Sequence, residues 1–224
     1  MFSYAEYRNI ITLVKQNLPI MDFSEVVAET NSFCVLRHDI EFSIDRALEM
    51  ARIEHEDLNV HSTYTVQLRN NTYNALSQKN IEAIQEIESM GHYIGLHQNP
   101  PMMENDELVG YILKDIETLE HYYGFEVDRF AFHRCGSNPG ILEKYVEVPN
   151  KINCYAKEFF HYFSGDKPEE LRVHYLEIME RNSFQKEFKH YVYLNALWSE
   201  TQIRILQRVM RQGRSATQAK PGHK

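Results

Sequence analysis

The sequence predicts one α/β domain built around a mainly parallel sheet. Short β-like apolar runs alternate along the chain with stretches whose apolar residues recur at helical spacing. Three of those runs end in polar clusters containing His or Asp, and strand ends are where such folds gather their working residues.

The elements follow in order. Residues 32–36 form a buried apolar run, after which Ile44, Ala47, Leu48 and Ala51 fall at helical spacing with Ser43 as the N-cap. Residues 60–66 read as a second strand, rich in β-branched and aromatic side chains. Ser77 caps a helix carrying Ile81, Ile84 and Ile87, and Gly91 stands where a glycine ends it. Residues 92–97 make a third strand. Leu108, Ile112, Ile116 and Leu119 mark a helix running up to Gly124, and residues 129–133 a fourth strand. Beyond Phe160 the alternation fades.

Residues 1–200 read as a single domain. Residues 201–224 carry six Lys or Arg and no acid, and their last dozen hold few apolar residues, so a disordered basic tail is expected. A net charge of −8 argues against nucleic acid and anionic membranes as partners. No apolar run approaches the ~20 residues a membrane span needs, and the first residues lack the pattern of a secretory signal. Cys34, Cys135 and Cys154 are widely spaced and odd in number, which fits free thiols and a cytoplasmic setting rather than disulfides or a thiolate zinc site.

Three clusters carry the candidate chemistry. Asp39 and Glu41 lie two apart and share a face if the chain is extended, giving one metal ligand and one general base. Helix capping by Glu41 and Asp45 is the competing account. His97 follows an apolar run and precedes Gln98 and Asn99, as suits a ligand on a sheet rim, whereas His92 reads as structural. His133 would complete a mixed nitrogen and oxygen set suited to Zn²⁺, and Arg134 would orient a carboxylate through its planar fork. Tyr64 and Tyr73 either line a cleft or sit in the core.

The segments Leu36-Arg37-His38-Asp39-Ile40-Glu41, Ser62-Thr63-Tyr64, Gly91-His92-Tyr93-Ile94-Gly95-Leu96-His97 and Phe132-His133-Arg134 occur in an order that resembles the polysaccharide-deacetylase superfamily (NodB-homology, carbohydrate esterase). Within it the chain is most similar to a branch with an Arg-His-Asp-Val-Asp-type motif. The resemblance spans about residues 30–160 and implies a distorted (β/α) barrel. It also implies a divalent metal, usually Zn²⁺, and removal of an N- or O-acetyl group from a carbohydrate such as a surface polysaccharide.

The resemblance implies two alignments of the first motif. Either Asp39 is the base and Glu41 the ligand, or His38 is the base and Asp39 the ligand. The family's second metal histidine falls at Pro101, so His133 is the substitute, giving a metal set of Asp39, Glu41, His97 and His133. Asp39, His38 and Arg134 are then the catalytic candidates, and Tyr64 and Asn99 the substrate-binding ones. The family's late acid-bearing histidine has only His174 or His190 as counterparts. Two functions follow: a metal-dependent carbohydrate deacetylase, or a barrel that binds a saccharide or protein partner without turnover.

Overall fold

The computed structural model describes residues 4–17, 19–26, 33–99, 105–133 and 146–156 and the backbone of two further strands, 173–181 and 187–195. Its elements are α1 (Tyr4–Asn17), β1 (Phe33–Ile40), α2 (Ile44–Arg52), β2 (Thr63–Val66), α3 (Gln78–Ser89), β3 (Tyr93–Gln98), α4 (Asn105–Tyr123), β4 (Arg129–Phe132), β5 (Ile152–Asn153), β6 (Val173–Arg181) and β7 (Glu187–Asn195). They form a seven-stranded sheet in the order β5-β4-β3-β2-β1-β7-β6. The strands β1 to β5 are parallel and curl into a half-barrel. The α/β class expected from the sequence is therefore the one observed. An antiparallel hairpin, β6–β7, extends the sheet beyond β1. The expected tail, residues 201–224, lies outside the described residues.

The helix signals hold locally except at Ser77, which occupies the N-cap position of α3 but makes no side-chain capping bond and donates its hydroxyl to Asn74 O at 3.1 Å. Ser43 accepts a hydrogen bond from the Arg46 N–H at 3.3 Å and so caps α2. Gly91 and Gly124 end α3 and α4 with φ of +87° and +80°, the left-handed conformation that a Cβ disfavours. No helix among the described residues is long and apolar enough to cross a membrane.

Strand alternation sorts side chains onto two faces. Leu36, Ile40, Tyr64, Val66, Ile94, Leu96, Phe130 and Phe132 face the helices, where they pack with Ala47, Ile84, Ile87, Ile112 and Ile116 in the main core. The residues between them point into the hollow of the half-barrel. That inner face carries a small apolar cluster of Phe33, Val35, Ala131 and Cys154. It also carries buried charge: Arg37, Asp39 and Arg129 are each at most 1% exposed.

Each buried arginine is compensated. Arg129 pairs with Asp22 and with Asp128, donates to Thr63 Oγ1 at 2.8 Å, and lies over the Tyr93 ring at 4.1 Å. Its path crosses Gly95, where an added Cβ would stand 2.9 Å from Arg129 Cγ and 3.2 Å from Thr65 Cγ2. Glycine is needed there to make room, not for its backbone freedom.

The first strand is longer than its apolar run implies. It continues through Arg37, His38 and Asp39 because both faces neutralise their polar groups. Inward, Arg37 and Asp39 pair with each other. Outward, His38 stacks on Tyr64 at 4.6 Å and meets Glu54 Oε1 at 2.8 Å. Glu54 sits on a π-helical segment (Ile53–Leu58) that continues α2, and it also accepts hydrogen bonds from the hydroxyls of Tyr7 and Tyr64. Burial pushes the Glu54 carboxyl up, but His38, His92 and Tyr64 outweigh it and bring it down to about 2.

A carboxyl held this low stabilises the fold only while it is charged. Relative to an ordinary value of 4.5, that contribution is complete above pH 4.5 and is lost as pH falls towards 2. Glu54→Gln, which breaks a buried charged network, should cost roughly 3–5 kcal/mol at neutral pH. Urea denaturation across pH 2–6 should show that cost shrinking in the same acid window.

Candidate functional site

The site lies at the C-terminal rim of the parallel strands, on the inner face. His97 is on β3, and His133 follows β4 by one residue, held by its N–H donating to Gln98 O at 2.7 Å. Glu41 follows β1, where the chain turns off the sheet. One ligand atom from each of Glu41, His97 and His133 lies within 4.8 Å of the others. His97 Nε2 is 3.1 Å from His133 Nδ1, and His133 Nδ1 is 3.4 Å from Glu41 Oε1. Tetrahedral ligands at ~2.0–2.2 Å from a common ion stand roughly 3.3–3.6 Å apart, so the spacing suits one cation.

Asp39 stands one step behind this cluster. Its carboxylate meets Arg37 through Nε at 3.0 Å and Nη2 at 3.1 Å, and accepts a hydrogen bond from Thr65 Oγ1 at 2.8 Å. Its Oδ1 is 3.8 Å from His97 Nδ1. Burial pushes the Asp39 carboxyl up, but Arg37, His97 and Thr65 hold it below the usual carboxylate range. Behind Arg37, the Tyr155 hydroxyl accepts from Nη2 at 2.9 Å and the ring lies 4.5 Å from the guanidinium.

The donor set fits a divalent cation. Two imidazoles and one carboxylate form the mixed set favoured by Zn²⁺ and its neighbours. Burial is the main cause that brings His97 down to about 4, with His133 and Arg37 acting the same way against Asp39. The ring is therefore neutral, with a lone pair to offer. Its Nδ1 is buried with no hydrogen-bond partner among the described residues and faces the Asp39 carboxylate. A carboxylate behind the far nitrogen is the usual support of a metal-binding histidine.

The structure brings together three of the four residues expected to share the metal and leaves Asp39 behind them, its oxygens taken by Arg37 and Thr65. His38 and Tyr64, expected in catalysis and substrate binding, are on the other face of the sheet. Strand alternation turns both toward Glu54, where they are buried. Asn99 is exposed just past β3. Arg134 and Pro101 lie outside the described residues, and of His174 and His190 only the backbone is described. His92 is structural as expected: its Nδ1 accepts from the Ser62 N–H at 3.1 Å and its Nε2 meets Ala51 O at 3.0 Å.

Sequence reasoning singled out Tyr73 but missed the rest of the segment that follows β2. Asn70 Nδ2 donates to Glu41 O at 3.0 Å and to Gln67 Oε1 at 3.1 Å. Thr72 Oγ1 lies 2.8 Å from Glu41 O, and the Tyr73 hydroxyl donates to Ile40 O at 2.7 Å. Gln67 Nε2 reaches His133 Nδ1 at 3.1 Å. These residues tie Glu41 and His133 to one support. The one usable signal was the turn-forming pair Asn70-Asn71 after a strand.

Fold and rim cluster together define an α/β protein with a candidate metal centre. No family model and no curated protein matches the chain. Among solved structures, it is similar to the chitin deacetylase from the fungal pathogen Colletotrichum lindemuthianum, at 19% identity and a TM-score of 0.36, over 44% of each chain. It is also similar to a family 4 acetyl xylan esterase from Clostridium thermocellum in complex with a cobalt ion. There the identity is 20% and the TM-score 0.33, over 43% of this chain and 46% of that one. The chain thus spans less than half the length of either structure.

The state of His97 makes a measurable difference. In the metal-free protein the unfolded ring binds its proton near pH 6.5 and the folded ring only near 4. Stability from this residue is complete above 6.5 and is lost as pH falls to about 4. His97→Gln should flatten that part of the profile, by at most roughly 1.4 kcal/mol per pH unit, in chelator-treated protein followed by urea denaturation.

Proposed function

We propose that this chain is a metal-dependent hydrolase that removes an acetyl group from a carbohydrate. The observation that carries the proposal is the convergence of Glu41, His97 and His133 at the C-terminal rim, with Asp39 behind His97. The motif order between residues 30 and 160 supports the substrate class, because it resembles that of polysaccharide deacetylases.

Glu41 Oε1, His97 Nε2 and His133 Nδ1 would hold the cation, with zinc the best match to the donor set. A bound divalent cation would polarise an acyl carbonyl and lower the pKa of water beside it. With a cation on Nε2 the His97 proton would sit on Nδ1, facing the Asp39 carboxylate 3.8 Å away, and Arg37 keeps Asp39 charged. Glu41, with its side chain only 12% exposed, closes the cluster on the side of the turn after β1. In this assignment Asp39 is a positioning residue and not the base.

Saccharide binding without turnover is the second reading. It is favoured by Asp39 itself, since a carboxylate tied to Arg37 and Thr65 is a poor proton acceptor.

Metal content and hydrolysis of an acetylated oligosaccharide, measured on the full chain, test the proposal. We expect about one Zn²⁺ per chain, with its loss on Glu41→Gln or His133→Leu. Asp39→Asn should weaken zinc by roughly 10–100-fold through His97. Zinc with acetate release supports the hydrolase, and zinc without release supports the binding module. A folded chain that takes up no divalent metal overturns the hydrolase and leaves binding without turnover as the reading.

A further inference from the structure

Gln67 is 6% exposed and lies at the metal cluster without being a ligand residue by type. Its amide orientation is fixed by a chain of hydrogen bonds. Asn70 Oδ1 accepts from the backbone N–H groups of Thr72 at 2.6 Å and Tyr73 at 3.3 Å, so Asn70 must turn its NH₂ toward Glu41 O and Gln67 Oε1. Gln67 Oε1 is thereby committed as an acceptor, and its NH₂ faces His133 Nδ1 at 3.1 Å.

That contact and cation binding are mutually exclusive. His133 Nδ1 has one lone pair, and it either accepts from Gln67 or binds a cation. Once a cation takes it, Gln67 Nε2–H is left beside positive charge in a nearly dry site, where an unmet donor is costly. An oxygen anion placed between them satisfies both. The charge balance asks for the same thing, because one carboxylate and two neutral imidazoles leave a divalent cation with a single net positive charge.

Resting on the metal-site assignment above, we infer that Gln67 is a hydrogen-bond donor to an anionic oxygen held at the Glu41–His97–His133 centre, and that the centre takes a small carboxylate monoanion. A carboxylate is also what hydrolysis of an acyl group releases. Asn70 serves this function indirectly, by fixing which end of the Gln67 amide faces the centre.

The test uses the full chain, Zn²⁺ alone and then sodium acetate, both followed by calorimetry, with cobalt substitution giving a visible spectrum as a second readout. The wild type should bind zinc and then acetate. Gln67→Met removes the donor and should keep zinc but lose roughly ten- to a hundredfold in acetate affinity. Gln67→Glu still accepts from Asn70 and turns a carboxylate oxygen toward the centre, so it should bind zinc more tightly and exclude acetate. A residue that only holds the fold would not produce that opposite movement of cation and anion affinity. Unchanged acetate binding in Gln67→Met, or acetate binding in Gln67→Glu equal to wild type, overturns the role of Gln67 and leaves the metal site standing. Absence of zinc binding in folded wild-type protein overturns the metal site and this inference together.

Discussion

The ion pair between Arg37 and Asp39 is the constraint on which the rest of the site depends. Two opposite charges two residues apart on one strand share a face, so each finds its partner without any rearrangement of the chain. Burying either alone would cost several kcal/mol. Together, with Thr65 and Tyr155 adding hydrogen bonds, they let β1 run on through a stretch that its polarity would otherwise expel from a sheet. The extension delivers Glu41 to the rim and places Asp39 behind the His97 ring. Without it, neither the ligand cluster nor its support would be assembled.

The same strand serves two purposes because its residues alternate. His38, between Arg37 and Asp39 in sequence, points the opposite way and joins Glu54, Tyr7 and Tyr64 under α1 and the π-helical segment. One face of Leu36-Arg37-His38-Asp39-Ile40-Glu41 thus supports the candidate chemistry while the other fastens helices to the sheet. A charged carboxylate anchors each side, and the two differ in what surrounds them: phenols and imidazoles for Glu54, a guanidinium and a threonine hydroxyl for Asp39.

Much of the framework was legible in the sequence. Apolar spacing located α2, α3, α4 and the strands β1 to β4, and Gly91 and Gly124 marked helix ends. What it could not give was the direction of side chains within a polar run. His38 stood as the alternative base to Asp39, and Tyr64 as either a cleft or a core residue, until strand parity placed both on the far face. The inward pair Arg129–Asp22 was also invisible, since Asp22 lies more than a hundred residues from its partner. Gln67 carried no local signal, because its significance comes from which atoms of its amide Asn70 and His133 engage. The hairpin β6–β7 was missed because it breaks the strand–helix alternation that had organised the preceding residues.

Asn70 and Thr72 grip Glu41 by its main-chain carbonyl. Those two bonds do not depend on which side chain occupies position 41. Another side chain at this position would start from nearly the same backbone place, but only one carrying a suitable donor atom could stand in for the Glu41 carboxylate beside His97 and His133. The placement of this backbone thus depends on Asn70 and Thr72, whose side chains are not part of the Glu41–His97–His133 cluster. An architecture of this kind separates where a side chain is rooted from the chemistry it carries.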